Sequence, residues 1–98
     1  MSNTLLSVQI IPKSQDGKDV YELVDRAIKV IDDSNVKYEV HPLETTMEGD
    51  LTQLLLIVQE MNHIMIQEGC SSVISQIKIL HQPSGITMDT LTEKYREQ

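Results

Sequence analysis

The segment Val36–Asp50, VKYEVHPLETTMEGD, carries two strands and the start of a helix. Val36, Tyr38 and Val40 alternate with Lys37, Glu39 and His41. That period of two belongs to a strand with one buried face, and strand two is expected over residues 36–43. Pro42 to Glu44 bends the chain, since proline cannot donate to a ladder. TTMEG (Thr45–Gly49) then returns as strand three, and Asp50 with Gln53 reads as a capping box opening a helix. Two strands joined by a short bend form a hairpin, so its flanks decide the topology.

On the N-terminal side, TLLSVQIIP (Thr4–Pro12) reads as strand one and KSQDGKD (residues 13–19) as a loop. Asp19 and Glu22 form another capping box, and Val20, Leu23, Val24, Ala27, Ile28 and Ile31 recur at helical spacing. Asp32 to Asn35 ends that helix. On the C-terminal side, Leu51, Leu54, Leu55, Val58, Met61 and Met65 make one stripe of a long helix, with Gly69 as its left-handed terminator. SSVISQIKIL (residues 71–80) is strand four, QPSG breaks it, and Thr87 opens a short helix with Met88, Leu91 and Tyr95 on one side. The order β-α-β-β-α-β plus a tail helix predicts an α+β, ferredoxin-like fold in a single domain over residues 1–98. Right-handed crossovers put both main helices on one face of an antiparallel sheet ordered 4-1-3-2. The other face is left open.

Alternation assigns the faces. Leu6, Val8, Ile10, Val36, Tyr38, Val40, Met47, Val73, Ile77 and Ile79 point to the helices. Ser7, Gln9, Thr46, Glu48, Gln76 and Lys78 point to the open face, with Lys37, Glu39 and His41 beside them. Strands disfavour carboxylates, so Glu48 is tolerated because its face is not the core. The ordinary reading of such a face is a solvated one. Strands one and three are the central pair, however, so Ser7, Gln9, Thr46 and Glu48 are expected to cluster. The cluster offers hydrogen-bond donors and acceptors, without a nucleophile–base pair.

A net charge of −7 argues against nucleic acid, which requires a basic stripe, and favours a cationic ligand. An RNA-binding sheet would need aromatic residues on strands one and three; the chain has no Phe or Trp, and its three Tyr residues lie elsewhere. His41, His63 and His81 lack the spacing of a metal site. The loop after strand one has no arginine to hold a phosphate. Cys70 stands alone, which excludes an internal disulfide and a CxxC motif; it reads as a small buried residue. No signal peptide or membrane-spanning run is apparent. The expectation is a cytoplasmic protein with no cofactor, no metal, no membrane and no nucleic-acid partner.

The aliphatic first strand ending in IP, the segment VKYEVHPLETTMEGD and ISQIKI (residues 74–79) together carry a resemblance. Over nearly its whole length the chain resembles the small thiamine-binding proteins of the YkoF-like superfamily. Members commonly have Gly where Glu44 stands, in a P-x-G-T turn, and are rich in charge after strand four, where this chain has LHQPSG. The resemblance implies a ferredoxin-like fold, homodimers or homotetramers built through the sheets, and non-catalytic binding of thiamine or its hydroxymethylpyrimidine portion. Carried over by residue, Thr45, Thr46 and Glu48 match the hairpin motif, and Ser7 and Gln9 occupy the first-strand positions beside it. Glu48 is then expected to accept a hydrogen bond from the aminopyrimidine, with Gln9 and the Thr hydroxyls completing the set. The thiazolium would favour acidic surroundings, and an oligomer interface would wall the ring. The tail helix is expected to dock at a subunit interface. The alternative is a ferredoxin-like regulatory or interaction module whose open face serves only assembly.

Overall fold

The computed structural model describes residues 2–15 and 17–96. Asp16 of the expected loop, and Glu97 and Gln98 of the expected tail helix, lie outside them. The elements are β1 (Thr4–Lys13), α1 (Val20–Asp33), β2 (Lys37–Val40), β3 (Thr45–Gly49), α2 (Leu51–Gln67), β4 (Ser72–His81) and α3 (Met88–Arg96). The strands form one antiparallel sheet in the order β2-β3-β1-β4, which is the expected 4-1-3-2 order seen from its other edge. Leu6, Val8, Ile10 and Met47 pack against Leu23, Ala27 and Ile31 of α1 and Leu54, Met61 and Met65 of α2. With no Phe or Trp, unbranched Met side chains fill the gaps between branched ones.

The helix ends show how local chemistry fixes the frame. Asp19 caps α1, its carboxylate accepting from the Tyr21 N–H at 2.9 Å. The expected Asp50–Gln53 box is not closed, because the Asp50 side chain makes no capping bond. Asn3 takes that role from the start of β1: its Oδ1 accepts from the Leu51 N–H, and its Nδ2 donates to Asp50 Oδ1, both at 3.2 Å. At the other end of α2, Gly69 adopts φ +95°. Its N–H bonds to Ile66 O, and that of Cys70 to Met65 O. This is a Schellman pair, and it returns the chain with Cys70 in the core.

Three further features depart from the sequence expectation. β2 stops at Val40 rather than reaching residue 43, because the His41 N–H turns to Glu44 O at 2.9 Å and closes the hairpin. Ile77 and Ile79 face the helix side, yet they stay 39% and 45% exposed. β4 is an edge strand, and the flank of α2 beside it, marked by the Asn62–Ser75 hydrogen bond, leaves Leu55 and Ile66 exposed as well. Finally, the open face is neither purely polar nor wholly bare. Register places Leu5 opposite Leu80 and Ile11 opposite Ile74, at the two ends of a polar middle. Leu5 is buried against Ile86 and Met88. The entry to the tail helix therefore packs on its own sheet, while Leu91 and Tyr95 remain exposed.

Candidate ligand-binding site

The five residues singled out from sequence do not form one cluster. Ser7 and Thr46 are cross-strand partners whose hydroxyls lie 2.8 Å apart, so each satisfies the other. Glu48 also faces the open side, but its carboxylate accepts from the Met88 N–H at 2.8 Å. Together with Thr87 Oγ1, which accepts from the Thr90 N–H, it caps the start of α3. Thr45 points to the helix side, buried between its cross-strand partners Val8 and Val40. Gln9 stands opposite Gln76 and takes part in neither polar contact.

Gln9 and Thr45 meet instead at a cavity of about 370 Å³. It exists because β3 begins at Thr45 opposite Val8, so β1 runs on from Gln9 to Lys13 paired only with β4. The N-terminal half of α1 and the hairpin loop roof that step in the sheet. Val8, Ile10, Ala27 and Met61 form the buried floor, with Val24 and Ile28 beside them. Ile11, Val20, Tyr21, Val40 and Leu43 form an exposed apolar mouth. The polar lining residues are Gln9, His41, Glu44 and Thr45. Small-molecule sites typically span about 300–1,000 Å³ and pair apolar walls with a few oriented polar groups; this cavity has that form. Its lining among the described residues contains one carboxylate, Glu44, and no Lys or Arg. Glu44 lies 3.6 Å from Lys78 Nζ, and His41 Nε2 lies 3.5 Å from Glu39. Among the described residues no three His, Cys, Asp or Glu side chains converge as a metal site would need.

Sequence reasoning missed Tyr21, His41, Leu43 and Glu44. His41 read as an outward-facing residue of strand two and Pro42 to Glu44 as a bend, and Tyr21 fell off the apolar stripe of α1. The only signal was two large side chains left in the open, Tyr21 at 81% and Leu43 at 75% exposure. They become informative once they are seen to flank one opening.

Residues 6–96 match the thiamine-binding protein family. The chain belongs to that family. A UPF0045 protein of Clostridium perfringens is 45% identical over 96 residues, spanning 98% of this chain and 100% of that protein. Among solved structures, a domain of unknown function, DUF77, from Bacillus cereus superposes with a TM-score of 0.91 at 41% identity, covering 98% of this chain and 93% of that one. A candidate thiamine biosynthesis/salvage protein of Thermotoga maritima gives a TM-score of 0.85 at 32% identity, over 96% of this chain and 99% of the other. The ferredoxin-like α+β fold of this thiamine-binding family member is thus shared with solved relatives across nearly its full length.

Proposed function

We propose that this protein binds thiamine or its hydroxymethylpyrimidine portion, without catalysis, in the cavity between α1 and the β2–β3 hairpin. The carrying observation is an apolar cavity of about 370 Å³, bordered by Gln9 and Thr45, in a member of the thiamine-binding family. An aminopyrimidine is flat and presents amino donors beside ring-nitrogen acceptors. A glutamine amide both donates and accepts, as does a threonine hydroxyl, while the aliphatic floor suits the ring faces. The lining offers groups that hold and orient a ligand. The buried lone Cys70 fits action in the cytoplasm.

The test is thermal unfolding with and without ligand. Ligand at a hundredfold excess over Kd stabilises the native state by about 2.7 kcal/mol. For a domain this small that raises the midpoint by roughly 10 °C or more. No shift with thiamine or hydroxymethylpyrimidine, and no heat by calorimetry, would remove this reading.

A second reading concerns assembly, and the exposed β4 edge favours it. A long apolar edge strand invites pairing. With Ile77 on a two-fold axis, β4 is self-complementary: Gln76 meets the second copy's Lys78, and Ile74 meets the second copy's Leu80. An axis at Lys78 would instead oppose two like charges, which destabilises a cross-strand pair. We infer that the protein forms a homodimer through this edge. A tetramer is not needed for the cavity, which one chain lines by itself. If assembly were the whole function, the alternative of an interaction module would stand, and the ligand screen would be silent.

A further inference from the structure

We propose that Glu44 makes this site selective for a cationic, phosphate-free heteroaromatic ligand and turns away its phosphate esters. The inference rests on the reading of the cavity as the thiamine-related site. Glu44 borders the cavity on the hairpin and also lines the adjoining groove, where its carboxylate lies 3.6 Å from Lys78 Nζ. A positive ring seated there gains a nearby negative charge.

A phosphate ester would find no anchor. It brings a charge of about −1.5 to −2 at neutral pH, and no Lys or Arg lines the cavity among the described residues. The N-terminus of α1, where Val20 and Tyr21 border the opening, would be the other natural phosphate seat. That seat is already taken: the Asp19 carboxylate accepts from the Tyr21 N–H, and Glu22 adds a second negative charge in the first turn. Lys78 is the nearest cation to Glu44, at 3.6 Å, but its side chain is 82% exposed. A solvated contact of that kind neutralises little. His41, which also lines the cavity, lies 3.5 Å from Glu39.

The experiment is calorimetry with thiamine, thiamine monophosphate and hydroxymethylpyrimidine on the wild type, Glu44→Gln and Lys78→Gln. The wild type is expected to prefer thiamine over its monophosphate. Glu44→Gln should shrink that preference about tenfold at low salt, the scale of one charge–charge contact in a partly solvated site. Lys78→Gln should widen it, added salt should narrow it in the wild type, and neutral hydroxymethylpyrimidine should bind wild type and Glu44→Gln alike. If the wild type binds none of the three, the cavity reading itself fails. If it binds thiamine and the monophosphate equally, or if Glu44→Gln leaves their ratio unchanged, the selectivity proposal is overturned while the site stands. It is overturned too if Glu44→Gln weakens hydroxymethylpyrimidine as much as thiamine, because Glu44 would then be a hydrogen-bonding contact and not a charge filter.

Discussion

Thr45 and Thr46 are adjacent and chemically identical, yet alternation sends them to opposite faces. Thr46 meets Ser7 on the open side, and Thr45 borders the cavity. Thr45→Val keeps the shape and removes the hydroxyl. It is expected to weaken thiamine binding about 3- to 10-fold, the worth of one hydrogen bond. Thr46→Val should leave affinity unchanged and cost about 1 kcal/mol of stability by stranding the Ser7 hydroxyl. Paired calorimetry and thermal melts separate the two, and the reverse pattern would move the site to the open face. Glu48→Gln addresses the tail. The neutral side chain is a weaker cap for α3, so about 1 kcal/mol of local stability is expected to go. Trypsin should then cut faster at Lys94 while thiamine affinity holds. Unchanged cleavage with lost binding would restore Glu48 as a ligand contact. That Glu48 faces away from the core was legible from alternation alone. Its bond to a backbone N–H forty residues later was not, since nothing local encodes where α3 returns.

At the level of elements, β4 and the β2–α1 contact carry the next tests. Ile77→Lys puts a charge at the centre of the exposed edge, at a site already 39% exposed. The fold should tolerate it, and light scattering should show the mass of a single chain where the wild type shows a dimer. A dimer that persists would place the interface elsewhere. Tyr38 of β2 donates a hydrogen bond to Asp32 at the end of α1 at 3.0 Å. That bond, followed by desolvation and the Asp32 charge, holds the phenol above its ordinary pKa of 10.0. The unfolded chain therefore ionises first as pH rises. The stabilisation is fully present below pH about 10 and is lost as pH climbs through the higher folded value. Melting midpoints between pH 9 and 11 should fall more steeply for the wild type than for Tyr38→Phe. Parallel curves would show that the bond does not persist in solution. Element identities were readable because periods of two and of 3.6 are local properties. The cap of α2 was misread for the opposite reason: Asn3 reaches it from the other end of the chain.

For the whole molecule, edge pairing makes stability depend on protein concentration. The melting midpoint should rise with concentration for the wild type and stay constant for Ile77→Lys; a constant wild-type midpoint would argue for a monomer, which the light-scattering mass checks. The sequence by itself determined the order of elements, the sheet order and the face on which each strand residue lies. Those follow from hydrophobic period, from proline and glycine punctuation, and from the handedness of crossovers, all of which act over short stretches of chain. The tertiary structure alone decided where the cavity is. It arises because β1 outruns β3 past Val8 and because α1 and the hairpin loop close over the step. Tyr21 lies far along the chain from Leu43 and Glu44 and shares no pattern with them, so only packing brings them to one opening. The same holds for the open face, where Leu5 becomes buried only when Ile86 and Met88 fold back onto it.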